Sequence, residues 1–280
     1  MVGNIVIAVA NIVASLLKMF GQNHWLPFVL VFVCANSILA GEELSPTALV
    51  ASPDGTKVYV ACGTAGLVKV ANLANGDVLA SIRVSPHPTG LALSSDGHRL
   101  FVTCASPKSE ICVVDLARAK VTAKFAAGHT AMSPILSPDG KTLFTCNRFN
   151  DAISLLEVAT GKELRRIAVT REPVAAAITP DGRHLLVANH LPAGRADQPP
   201  LAAVVSVIDV AAGRVVKELR LRNGSGSLQD IRISPDGKYA VVTHILARFG
   251  LPTTQLDRGW MNTNAKTIIA LDRLEVLNTV

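Results

Sequence analysis

Between residues 45 and 280, short runs of alternating apolar and polar side chains recur, each closed by turn-forming residues. Lys57-Val58-Tyr59-Val60-Ala61-Cys62 and Arg99-Leu100-Phe101-Val102-Thr103-Cys104 follow the period of two that marks a strand. Runs such as Val205-Ser206-Val207-Ile208-Asp209 are almost continuously apolar, as expected of a strand covered on both faces. Small aliphatic runs precede the alternating ones: Gly90-Leu91-Ala92-Leu93, or Val174-Ala175-Ala176-Ala177-Ile178. The second of these lies between Pro173 and Pro180, too few residues to nucleate a helix, so strand is predicted there as well.

The runs are organised by a repeated turn. Ser52-Pro53-Asp54-Gly55, Ser94-Ser95-Asp96-Gly97, Ser137-Pro138-Asp139-Gly140, Thr179-Pro180-Asp181-Gly182 and Ser234-Pro235-Asp236-Gly237 are spaced by 42, 43, 42 and 55 residues. Proline presets φ at the second turn position, Asp suits the third, and Gly takes the left-handed conformation that follows. Each unit reads as small-residue strand, this turn, alternating strand, apolar strand, a second Gly-containing turn such as Ala159-Thr160-Gly161-Lys162, and a fourth strand such as Val215-Val216-Lys217-Glu218-Leu219. Four meandering strands repeated at about this period form a propeller blade. The prediction is an all-β propeller of four-stranded antiparallel blades, five in this chain, occupying residues 41–280.

Composition sharpens the picture in two places. Residues 1–40 carry a single charge, Lys18, then the apolar run Leu26 to Cys34 and small residues up to Ala40. They read as a secretory signal cleaved after Ala40, placing the propeller in the periplasm, at the cell surface or outside the cell. An uncleaved membrane anchor is the alternative, and Met19 is an alternative start. Without this segment the net charge falls from +6 to +5, and the Lys and Arg residues are scattered without interleaved aromatics, which argues against a nucleic-acid groove.

The ends of the alternating strands carry a resemblance. Tyr59-Val60-Ala61-Cys62, Phe101-Val102-Thr103-Cys104, Phe144-Thr145-Cys146-Asn147, Leu186-Val187-Ala188-Asn189 and Val241-Val242-Thr243-His244 resemble the YVTN β-propeller repeat family of bacterial and archaeal extracytoplasmic proteins. Asn189 to Arg195 and His244 to Asn264 further resemble a subgroup joined to dihaem cytochrome c peroxidase-like domains. The resemblance implies seven blades, so that five represent part of a larger ring, with a small ring closed by plain packing as the alternative. Its members serve as binding modules, as lactonase-like enzymes and as partners of redox proteins. No Cys-x-x-Cys-His haem-attachment motif occurs here, so no cofactor is expected in this chain, and a c-type cytochrome is at most a partner.

In a propeller, the loops joining second to third strands share a face with those joining one blade to the next. The longest connections, His190 to Leu201 and Ile245 to Lys266, therefore point to that face. His87, His129, His190, Arg195, His244, Arg248, Arg258 and Trp260 are the candidate ligand-binding residues there. No histidine pair has metal-ligand spacing, and no nucleophile elbow or phosphate-cradling loop is visible, so no metal and no catalytic residue are assigned. The expected function is a non-catalytic module for a protein, peptide or small polar ligand; a cytochrome accessory and a lactonase-like hydrolase stay open. Cys104 and Cys112, at the end of a second strand and within the neighbouring third strand, are expected to face each other as a disulfide candidate.

Overall fold

The computed structural model describes residues 44–195, 197, 200–247 and 262–280, so the expected leader, Arg248, Arg258 and Trp260 lie outside the described residues. Twenty strands form five four-stranded sheets. Blade one contains β1 (Pro46–Ala51), β2 (Lys57–Cys62), β3 (Leu67–Asn72) and β4 (Val78–Arg83). Blade two contains β5 (Pro88–Leu93), β6 (Arg99–Cys104), β7 (Glu110–Asp115) and β8 (Lys120–Ala126). Blade three contains β9 (Ala131–Leu136), β10 (Thr142–Asn147), β11 (Ala152–Glu157) and β12 (Glu163–Ala168). Blade four contains β13 (Pro173–Ile178), β14 (His184–Asn189), β15 (Val204–Asp209) and β16 (Arg214–Arg220). Blade five contains β17 (Ser225–Ile233), β18 (Tyr239–Ala247), β19 (Asn262–Ala270) and β20 (Glu275–Thr279). Strands pair antiparallel in sequence order within each blade, and the first strands pack in succession, β1 on β5, β5 on β9, β9 on β13 and β13 on β17.

The core is a series of layers between blades. Because side chains alternate across a strand, neighbouring residues serve different layers. Leu143 joins Phe101, Ile111 and Phe125 between blades two and three, whereas Phe144 joins Leu185, Val187 and Ile208 between blades three and four. Leu186 turns the other way, onto Leu228, Ile231 and Val242 of blade five. This explains the unbroken apolar third strands. At the two ends the alternation resurfaces: Leu49 on β1 is 51% exposed, and β19 alternates through its first half. The insertion of blade five also starts later than the sequence implies. Ile245, Leu246 and Ala247 pair with Asn264, Thr263 and Asn262, so both strands run on beyond His244.

The repeated turn holds the first hairpin of each blade in register. In blade three, Ser137 Oγ donates to Asp139 Oδ1, which accepts the Lys141 amide at 3.1 Å, while the Thr142 amide donates to Ser137 Oγ at 2.9 Å. Gly55, Gly97, Gly140, Gly182 and Gly237 have φ between 67° and 72°, a conformation a Cβ disfavours. A second repeated device lies at the outer edge. Each fourth strand carries one unpaired extra residue at the same place: Leu79, Thr122, Leu164, Val216 and Leu277. A bulge in an edge strand twists it away from further pairing, which protects the rim from edge-to-edge association.

The five turn aspartates make the fold acid-sensitive. Asp54, Asp96, Asp139, Asp181 and Asp236 are all held below the ordinary carboxylate range, first by the hydroxyl two residues earlier and then by the amide two residues later. For Asp54 the value is about 2. A folded-state pKa below the unfolded value of about 3.9 stabilises the fold above that pH and ceases to do so as pH falls through the folded value. The melting temperature is expected to drop between about pH 4 and pH 2. Asp96→Asn combined with Asp139→Asn and Asp181→Asn should lower it at pH 7 and make that drop shallower, read by circular dichroism. An unaltered acid profile in the triple variant would contradict this account.

Candidate functional site

Blades one to four are each entered through a residue in the left-handed region that is not glycine: Ser45, His87, Thr130 and Glu172, with φ of 45°, 55°, 54° and 48°. Such a conformation costs about 1–2 kcal/mol and persists only where surrounding bonds hold it. Here the carbonyl of that residue accepts the amide just after the second strand. Ser45 receives Gly63 at 2.9 Å, His87 receives Ala105 at 2.9 Å, Thr130 receives Arg148 at 3.2 Å and Glu172 receives His190 at 2.8 Å. The loop that enters a blade and the loop that leaves its second strand are thus clamped together on one face.

The clamp is most elaborate between blades three and four. Arg148–Asn150 form one 3-10 turn after β10, ended by Asp151 in the left-handed conformation. Phe149 on that turn is 53% exposed. The Arg148 guanidinium stands 5.1 Å from the centre of its ring, and the His129 ring meets it edge-on at 5.2 Å. Arg148 Nε and Nη2 both donate to Glu172 Oε2, at 3.1 and 2.9 Å. The Glu172 amide donates to Asp151 Oδ1 at 2.7 Å, and the His129 amide to Asn150 Oδ1 at 2.7 Å. An aromatic ring with its neighbours fixed in this way loses little entropy on contact, the property of a binding anchor. The sequence signal was the polar, aromatic run Arg148-Phe149-Asn150-Asp151 between two strands, which the search for histidines and long insertions passed over.

The candidate histidines have separate surroundings. His87 is exposed in the entry loop of blade two, and His129 belongs to the group around Phe149. His190 Nδ1 donates to the Leu228 carbonyl at 2.9 Å while the Leu228 amide donates to the His190 carbonyl, joining blade four to blade five. His244 lies within β18 rather than on a loop, 3% exposed, with Nε2 2.9 Å from Thr267 Oγ1. Arg195 forms an exposed ion pair with Asp197 at 2.7 Å. Among the described residues, no three His, Cys, Asp or Glu side chains are grouped so as to hold a metal ion. A groove of about 560 Å³ on blade five is lined by Gln229, Thr243, His244, Ile245, Asn264 and Lys266.

The contact of His244 with Thr267 belongs to a repeated diagonal. The last residue of the second strand in blades three and four, and His244 three residues before the end of β18 in blade five, each reach across to the third-strand residue lying opposite the position two before. Asn147 Nδ2 donates to Ser154 Oγ at 2.6 Å, and Asn189 Nδ2 to Ser206 Oγ at 2.9 Å. Cys104 and Cys112 occupy this diagonal in blade two. The expectation that they face each other is corrected by the register, which sets Cys104 opposite Glu110 and Cys112 opposite Val102. Both are buried free thiols, and their mutual interaction holds the pKa of Cys104 up and that of Cys112 down.

Comparison with known proteins agrees with this geometry. Residues 110–193 match the family described as "Lactonase, 7-bladed beta-propeller". The chain is a β-propeller. A stretch of 65 residues is 45% identical to hydrazine synthase subunit beta of Kuenenia stuttgartiensis, covering 23% of this chain and 17% of that protein. A solved structure of Kuenenia stuttgartiensis hydrazine synthase superposes with a TM-score of 0.73 at 27% identity, over 83% of this chain and 65% of that one. The propeller therefore spans just under two thirds of the solved chain it resembles.

Burial holds the pKa of His244 below the ordinary imidazole value, against the opposing effect of the Ile245 carbonyl. The folded state favours the neutral ring, so the stability it contributes is complete above the unfolded value of about 6.5 and is lost as pH falls through the lower folded value. His244→Asn, which copies the residue used in blades three and four, should flatten the decline in melting temperature just below pH 6.5. A variant that keeps the wild-type slope would rule out His244 as its source.

Proposed function

We propose that this propeller is an exported, non-catalytic docking subunit that binds a protein partner through the face carrying Phe149. The observation that supports it most directly is the half-exposed Phe149 ring, packed against the Arg148 guanidinium and the His129 ring, with Arg148 itself held by Glu172. An exposed, immobilised aromatic flanked by Arg is the composition of an interface hot spot. The named relative supports the same reading, since hydrazine synthase subunit beta is by its name one component of a larger enzyme. Docking to such an assembly asks of the propeller a rigid surface and no reacting group.

The match to a lactonase family over residues 110–193 favours a second reading, a hydrolase acting on lactones at the same face. One experiment separates them. The tagged protein is purified from its native host under mild conditions, its mass is measured by native mass spectrometry, and the same material is assayed on a panel of lactones. A defined complex is expected, with Phe149→Ala weakening it about tenfold or more while leaving the melting temperature unchanged. A monomer that hydrolyses lactones would replace docking by the second reading, and a complex indifferent to Phe149→Ala would move the docking surface elsewhere.

A further inference from the structure

The diagonal position filled by Asn and Ser in blades three and four, and by His and Thr in blade five, is filled in blade two by two sulfurs. Cys104 is 2% and Cys112 0% exposed, and both belong to the layer between blades one and two, packed with Val68, Val70, Ile82 and Val114. One polar path leads out of this dry seat. Ser85 Oγ lies 3.4 Å from Cys112 Sγ and donates to Glu110 Oε2 at 2.6 Å, and Glu110 is paired with Lys124 at 2.8 Å. Lys124 places its positive charge within electrostatic reach of both sulfurs.

Two features of this pair select its chemistry. Diagonal neighbours across antiparallel strands have Cα atoms about 7–8 Å apart, whereas a disulfide without backbone movement needs less than about 7 Å. The register and their shared layer place the two free thiols as diagonal neighbours that interact with each other without being joined. The number of donors is also two, since no third His, Cys, Asp or Glu joins them among the described residues. Zn²⁺ takes four such ligands and Ca²⁺ or Mg²⁺ takes oxygens, while two thiolates in an apolar setting suit a soft monovalent ion.

We propose that Cys104 and Cys112 form a two-coordinate thiolate site for a soft monovalent d10 cation, Cu(I) or Ag(I), enclosed between blades one and two. Binding breaks two S–H bonds and forms two S–metal bonds; both protons leave through Ser85 and Glu110 to solvent, and no electron is transferred. The bound group carries one negative charge, which Lys124 offsets. The site is independent of the Phe149 surface, so it stands or falls apart from the docking reading.

The test uses the full chain, reduced and kept without oxygen. Cu(I), supplied as its acetonitrile complex, is titrated in competition with a chromophoric Cu(I) chelator, and Ag(I) uptake is followed by melting temperature. One equivalent of Cu(I) should be retained with thiolate-to-metal absorption in the near ultraviolet, and one equivalent of Ag(I) should raise the melting temperature, because binding to the folded state alone stabilises it. Cys104→Asn with Cys112→Ser rebuilds the pair of blades three and four, so it should fold normally and lose both effects. Cys62→Ser with Cys146→Ser should keep them. Absence of uptake by the wild type, uptake retained by the first double variant or lost from the second, or a Cys104–Cys112 disulfide found by peptide mapping of the protein as purified, would each overturn the proposal; the silver-induced shift reads the wild type directly should the first variant not fold.

Discussion

A propeller blade has to bury both of its faces, and that requirement organises the whole chain. A single sheet four strands wide has no core of its own; it is stable only between two neighbours. The chain meets this by dividing every strand between two layers, so that Leu143 and Phe144, adjacent in sequence, belong to different cores. A one-residue slip would exchange the two sets at once, which gives the Ser-Pro-Asp-Gly turn its importance. Its internal bonds fix the register of the first hairpin of each blade locally, from residues next to the turn. The same constraint explains why β1 exposes Leu49 whereas the first strands of later blades, each with a preceding blade against it, are largely covered.

The candidate surface is a by-product of how blades are joined. In blades one to four the entry loop bends through a left-handed residue whose carbonyl accepts the amide just after the second strand, which ties the two loops together on that face. Some side chains on it are consumed by this framework. His190 bridges two blades through Leu228, and His244 is sealed into a strand pair. Around Phe149 the framework leaves an aromatic ring at the surface with its partners already satisfied, and that combination of order and exposure makes it the anchor of the proposed interface.

The repeated diagonal shows one geometric position carrying different chemistry from blade to blade. Asn with Ser joins two short polar side chains by a neutral hydrogen bond, and His with Thr does so at the cost of sensitivity to protonation. Two cysteines satisfy each other only weakly, because a thiol is a poor donor and a poor acceptor. Where blades three, four and five fill this diagonal with stronger hydrogen bonds, the sulfur pair of blade two is the position most open to a further role.

The blade count, the strand order and the hairpin turns were legible in the sequence, because a period of two and the demands of proline, aspartate and glycine act over a few neighbouring residues. What the sequence could not supply was how residues distant along the chain meet. Whether Cys104 stands opposite Cys112 or diagonal to it depends on a register shift of two residues, which local patterning does not determine. Likewise the group formed by His129, Phe149, Arg148 and Glu172 draws on three separate loops, the two blade-entry loops and the one after β10, and only the packing of one blade on the next brings them together. Local stereochemistry determined the repeating unit; inter-blade burial decided which of its side chains were left at the surface.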